Sequence, residues 1–248
     1  MRTLFRSGLA LTVLTFAGLA VRAQDAKAVI EKALKAQGGE ENLKKYPAAR
    51  VKAKGTMELM GAEIEFKLDS AVLNPDKFRN EIDIEFMGQK IPIVQVFDGK
   101  KGWQSMMGQT MEVEGDQLDE LKEEAYTNNL EQLYPLLSDK KFELKLVGEE
   151  KVNDKPAVGV KVTCKEHKDI TLYFDKESGL LVKSRKKSKD PGGAEVDAET
   201  FYSDYKDVNG TKQSMKQLLK HDGKKFLEAE VTDMKLLEKI DPSTFEKP

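Results

Sequence analysis

From Val51 onward the chain alternates apolar and polar residues with a period of two. Val51, Ala53, Met57 and Leu59 interleave with Arg50, Lys52, Lys54, Thr56 and Glu58. After Gly61, Ala62, Ile64, Phe66 and Leu68 interleave with Glu63, Glu65, Lys67 and Asp69. After Asn74-Pro75-Asp76, Phe78, Ile82, Ile84 and Phe86 interleave with Arg79, Glu81, Asp83 and Glu85. Strict alternation marks strands with one dry and one wet face. The short Gly, Asn and Pro breaks between them mark hairpins, so the chain lays down an antiparallel meander.

The same pattern predicts strands at Lys90–Phe97, Gly102–Met107, Gln109–Val113, Phe142–Glu149, Ala157–Lys165 and Ile170–Asp175. It predicts further strands at Leu180–Lys187, Glu195–Tyr205, Thr211–His221 and Lys224–Leu237. Asn209-Gly210 and Asp222-Gly223 are strong hairpin signals. Two regions switch to helical spacing. Ala26–Gln37 puts Val29, Ile30, Ala33 and Leu34 on one face, with Asp25 as N-cap and Gly38-Gly39 as the stop. In mid-chain, Asp116–Leu137 carries Leu118, Leu121, Ala125, Leu130, Leu133 and Leu137. A break is expected near Thr127-Asn128-Asn129 and at Pro135.

About a dozen amphipathic strands with two helical regions read as a mainly β, α+β fold. Twist forbids one flat sheet of that size, so the chain must close into a barrel, split into a sandwich, or curve into a half-barrel covered by helices. The helical regions fall where covers are needed, which favours the half-barrel; alternation alone leaves the sandwich and the closed barrel open. Two helices are too few to fill the concave side of such a sheet. An apolar cavity is therefore expected, lined by Met57, Leu59, Ile64, Phe66, Leu68, Phe78, Ile82, Ile84 and Phe86. The mid-chain helix, through Leu118, Leu121, Leu130, Leu133 and Leu137, is expected to act as a lid over it. The first half of the sheet is also rich in methionine (Met57, Met60, Met87, Met106, Met107, Met111), a side chain suited to irregular apolar surfaces.

The first residues modify this picture. Arg2 and Arg6, the uncharged stretch Gly8–Ala20, and Val21-Arg22-Ala23 form the pattern of a secretory signal peptide, with cleavage expected near Ala23. Residues 1–23 are then the signal peptide and 24–248 a single domain, exported to the periplasm. Without Arg2, Arg6 and Arg22 the chain carries 38 basic against 43 acidic residues. That balance gives no electrostatic footprint for nucleic acid.

Catalytic chemistry finds little support. His167 and His221 are the only histidines and Cys164 the only cysteine, with no metal-ligand spacing. No nucleophile elbow, dinucleotide fingerprint or phosphate loop occurs. Cys164 continues the alternation of Val158, Val160 and Val162 and reads as a buried, inert thiol. The abundant carboxylates and the Lys183–Lys189 cluster read as solvated strand faces. The expectation is a protein that is not an enzyme and uses no cofactor or metal.

Several segments resemble the LolA-like family of outer membrane lipoprotein-sorting proteins. Val96-Phe97-Asp98-Gly99-Lys100-Lys101-Gly102-Trp103 resembles its strand, Asp-Gly turn and aromatic strand. Ile170–Asp175 followed by Glu177-Ser178-Gly179-Leu180-Leu181-Val182-Lys183 resembles a hairpin with an acidic turn. Tyr202-Ser203-Asp204-Tyr205 through Gly210 resembles a late Tyr-x-x-Tyr…Gly segment, and Ile240–Pro248 the usual ending. The resemblance implies an unclosed β-barrel with a helical lid that binds acyl chains in the periplasm, and it adds Trp103 to the expected cavity wall. The implied function is a carrier of lipoprotein or lipid acyl chains towards the outer membrane. A monomer is expected, with a membrane-bound donor or acceptor protein as further partner. The alternatives are a sensor or protein-binding module on the same half-barrel, and a structural envelope protein with a filled core. Arg50 and Arg79 both fall on outward parities, so the family's lid-contacting arginine is carried over to neither.

Overall fold

A computed structural model of the chain describes residues 17–248 apart from Met60 and Met87, with side chains from Asp25 onward. Met1–Phe16, most of the expected signal peptide, lie outside the described residues.

Thirteen strands form one antiparallel sheet. The first six run β1 (Ala48–Leu59), β2 (Ala62–Leu73), β3 (Lys77–Phe86), β4 (Gln89–Phe97), β5 (Gly102–Met106) and β6 (Gln109–Val113). The others are β7 (Glu143–Val152), β8 (Lys155–Cys164), β9 (His167–Asp175), β10 (Leu181–Lys189), β11 (Glu195–Val208), β12 (Thr211–His221) and β13 (Lys224–Leu237). The spatial order is β6-β5-β4-β3-β2-β1-β13-β12-β11-β10-β9-β8-β7. The chain therefore starts in the middle of the sheet, meanders to one edge, crosses to the far edge, and meanders back until β13 pairs with β1. The edges β6 and β7 do not pair, so the barrel stays open. That resolves the three closures left by alternation in favour of the half-barrel.

Helices α1 (Ala17–Gln37) and α2 (Glu40–Lys45) precede β1, while α3 (Gly115–Leu130) and α4 (Tyr134–Ser138) make the crossing from β6 to β7. Ala26, Ile30, Ala33 and Leu34 of α1 are buried with Leu130, Leu133 and Leu136 against Val160, Val162, Ile170, Leu172 and Phe174. This main core lies on the concave side of the β7–β11 half. Gly38 ends α1 with φ +124°. A Cβ there would sit 2.4 Å from the Gly210 carbonyl oxygen. Only glycine meets both the backbone conformation and the close approach.

Two boundaries differ from expectation. Asp25 is inside α1, not its N-cap, because the alanine-rich stretch before it is itself a strong helix former and extends the helix back to Ala17. The break in the crossing helix lies at Glu131–Leu133, not at Thr127–Asn129. Thr127 stays helical by donating its hydroxyl to the Glu123 carbonyl oxygen at 2.7 Å. The turn comes where Leu133 takes φ +59° ahead of Pro135 in the first turn of α4.

Among the described residues no helix is long and apolar enough to cross a membrane.

Candidate functional site

Strand register fixes which side chains share the concave face. One row runs Leu172, Ser184, Thr200, Leu219, Leu227, Met57 and Ile64 across β9 to β2. The next runs Tyr202, Gln217, Ala229, Gly55, Phe66 and Ile84 across β11 to β3. The polar positions, Ser184, Thr200, Tyr202 and Gln217, fall on β10–β12, and from β13 to β3 both rows carry no polar side chain. The concave wall is thus amphipathic across the strands, an order that reading along each strand does not reveal.

The apolar end gathers Ile64, Phe66 and Ile84 with Met57, Leu59, Leu68, Ile82, Phe86, Ile91, Ile93, Leu227 and Ala229. Eight of the ten residues expected to line the cavity meet here. Phe78 shares their face but packs nearer α3, with Phe97, Val113, Leu121 and Ala125. Its ring centroid is 6.0 Å from that of Phe97. Trp103 is corrected: it pairs across the ladder with Val96 and is buried with Ala71, Val96 and Phe245 on the convex face. Glycine holds the inward position beside it. A Cβ on Gly102 would lie 2.4 Å from Leu121 Cδ1, so the bare backbone lets α3 seat there. Arg50 and Arg79 flank a convex-face recess with Asp69, Glu81 and Ser243, in keeping with their outward parity. Met106, Met107 and Met111 are exposed on the β5–β6 hairpin; Met60 and Met87 lie outside the described residues.

Helix α3 spans the mouth on two apolar flanks. Leu118, Leu121 and Ala125 rest against the Phe78–Phe97 cluster. Tyr126, Leu130 and, past the break, Leu133 enter the main core, with Leu137 of α4 packed against it. Between the flanks, Gln117, Glu120, Glu124, Thr127, Asn128 and Glu131 recur at helical spacing as one polar stripe facing inward. Ion pairs tether the helix to the other half of the sheet. Glu120 meets Lys168 at 2.7 Å and Asp116 meets Lys189 at 2.5 Å; a hydrogen bond between Glu123 and His167 Nδ1 at 3.0 Å adds to them. The His167 ring stacks on Tyr126 at 3.9 Å, above the buried Cys164.

Beneath the stripe lies a cavity of about 590 Å³, lined on its sheet side by Phe66, Leu68, Leu219, Leu227 and Ala229 at one end. Ser184, Lys186, Thr200, Tyr202 and Gln217 line the other. The volume falls within the range of about 300–1,000 Å³ usual for small-molecule sites. A second cavity of about 190 Å³ lies towards α1 and α2, and Asn128, Glu131, Tyr202 and Gln217 stand between the two.

The polar end is hydrogen-bonded in detail. Tyr202 donates its hydroxyl to Glu131 Oε1 at 2.7 Å and lies 3.1 Å from Ser184 Oγ. Asn80 donates to Glu124 Oε1 at 3.0 Å and accepts from Ser70 Oγ at 2.7 Å. Lys186 Nζ donates to Thr127 Oγ1 at 2.7 Å. Burial raises the carboxyl pKa of Glu124 and of Glu131 and lowers that of the Lys186 ammonium, so each is held towards its neutral form.

These groups correct the reading of every carboxylate and of the Lys183–Lys189 cluster as solvated. Ser184, Lys186 and Ser188 share the parity that faces inward. On the opposite face even Lys183 is buried, paired with Glu150 at 3.0 Å and Glu199 at 2.5 Å and lying over the Tyr173 and Phe201 rings. The inward row stands in the sequence as Ser-x-Lys-x-Ser and the stripe as the 117–131 helical spacing, but polarity alone marks neither as interior. Among the described residues no group of three or more His, Cys, Asp or Glu side chains is placed to hold a metal ion.

No protein-family model matches the chain, and no curated protein matches it in sequence. Its likeness is to solved structures. A LolA superfamily protein of Nitrosomonas europaea superposes with a TM-score of 0.57 at 12% identity, over 90% of this chain and 97% of that one. A putative outer membrane lipoprotein-sorting protein domain of Vibrio parahaemolyticus gives 0.56 at 12%, over 89% and 97%. A DUF1329 family protein of Desulfovibrio piger gives 0.58 at 13%, over 89% and 97%. The chain has the fold of the LolA superfamily.

Proposed function

We propose that this protein is a periplasmic carrier that holds an acyl chain of a lipid or lipoprotein in the cavity under α3. One observation supports the reading above the others: the concave rows run from polar to apolar and end on an apolar cluster whose Phe66, Leu68 and Leu227 line the cavity. Each methylene that such a wall removes from water contributes about 0.8 kcal/mol. The lipoprotein-sorting description of one structural neighbour agrees with an acyl cargo. The amino-terminal signal-peptide pattern agrees with the compartment.

In this reading α3 is the cover. Leu130 and Leu133 anchor its carboxy-terminal end in the main core, and Leu118 and Leu121 close its amino-terminal half on a smaller cluster. Opening therefore moves the amino-terminal half about the break at Glu131–Leu133. Lids are drawn from the less stable parts of a fold.

Trp103 faces away from the cavity, so its fluorescence is the wrong reporter; a fatty-acid probe with its own emission is the right one. The probe should brighten on binding to the wild type. Phe66→Asp, which puts a charge on the apolar wall, should abolish the signal while the far-UV circular dichroism is kept. A wild type that leaves the probe dark at every concentration defeats the carrier reading and favours a protein-binding module on the same half-barrel.

A further inference from the structure

Lys186 enters the large cavity from β10, between Ile170 on β9 and Ala198 on β11. Its Nζ has one acceptor, Thr127 Oγ1 at 2.7 Å. Among the described residues it makes no ion pair within 4.0 Å. Its ammonium form, which a bound anion would favour, carries three donors, and two of them have no acceptor from the chain.

The carboxylates nearby are otherwise engaged. Glu120 is held by Lys168 and Ser188. Glu124 takes the Asn80 amide and Glu131 the Tyr202 hydroxyl. Glu123, which also acts on Lys186, is taken by His167 Nδ1 and the Lys168 backbone amide, and burial favours the neutral form of Glu124 and Glu131. A cation taken out of water without a counter-ion is costly, and a bound anion offsets that cost.

Building on the carrier reading, we propose that the cavity selects an acyl chain with an anionic head group, a carboxylate or a phosphate monoester, seated on Lys186. Thr200 offers a hydroxyl donor beside it, and the chain follows Leu219, Leu227 and Phe66 along the amphipathic rows. From β10 to β2 there are five strand spacings. At about 4.8 Å each they make a path of about 24 Å, suited to a long chain and not to a short one.

Competition against the fluorescent acyl probe tests this with three ligands of one chain length: palmitate, hexadecyl phosphate and uncharged monopalmitin. The wild type should bind at least one of the two anions about tenfold more tightly than monopalmitin, the weight of one charge-assisted hydrogen bond. Preference for palmitate alone assigns the carboxylate, and for hexadecyl phosphate alone the phosphate. Lys186→Met should abolish the preference, while Lys186→Arg keeps it. In the wild type the preference should vanish as rising pH deprotonates the lysine, a readout that needs no variant. Equal binding of all three ligands by the wild type overturns the head-group assignment and leaves the carrier reading standing. So does an anion preference that survives in Lys186→Met. Failure of all three, with a dark probe, overturns both.

Discussion

At Glu124 and Glu131 a common surface residue has become part of an interior. Burial lifts the Glu124 carboxyl above its usual 4.5. The folded state therefore holds its proton over a range in which the unfolded chain has lost it. The linkage has one sign: stability is fully kept below 4.5, falls as pH rises from there, and levels off above the folded value. Glu124→Gln removes that titration. In urea denaturation at a series of pH values, its stability relative to wild type should grow between pH 4 and pH 7, where ~4 is the ordinary carboxylate value; parallel curves contradict the buried assignment. Tyr202→Phe tests the partner. It strips Glu131 of its donor and should destabilise by about 1–3 kcal/mol, the cost of an unmet buried polar group. At this scale the sequence was half legible. Ser184, Lys186 and Ser188 form a row, but Lys183, Arg185 and Lys187 form an equally polar one. With no hydrophobic contrast, parity says that two rows exist and not which is inside. Trp103 enters the expected wall through the family resemblance and not through parity, and Phe245, far along the chain, covers it on the convex face.

Among the elements, the strands were the most legible, because charged and apolar residues alternate along most of them and glycine or asparagine marks the turns. Gln109–Val113, Thr211–His221 and Lys224–Leu237 lie where the pattern put them. What the pattern could not carry was order. Nothing local says that β13 pairs with β1, or that the crossing helix must reach from one free edge to the other. The crossing itself explains α3. A helix laid over an open mouth needs two apolar flanks with a polar strip between them, and its leucines were visible while their division into two flanks was not. That division separates two substitutions. Leu133→Ala, in the main core, should cost about 2–5 kcal/mol with little change in ligand exchange. Leu121→Ala, under the amino-terminal half of α3, should speed ligand exchange more than it lowers the melting temperature. Hydrogen exchange should show Gly115–Ala125 less protected than β1 and β13 and slowed by bound ligand. Protection equal to that of the central strands, with and without ligand, makes α3 a permanent layer.

The whole molecule is a meander whose two halves meet at β1 and β13 and whose curvature leaves room under one helix. Among the residues whose side chains are described, Ala26 is the first buried residue of α1. With cleavage expected near Ala23, amino-terminal sequencing of protein from its own envelope should start at Gln24. A sequence starting at Met1 would contradict export by this signal. The central claim, an acyl chain in the cavity, is met most directly by native mass spectrometry of the same envelope preparation. The account predicts one acyl-bearing molecule bound per chain, lost on delipidation and missing from Phe66→Asp. Wild-type protein that flies only at the mass of the bare polypeptide would contradict it.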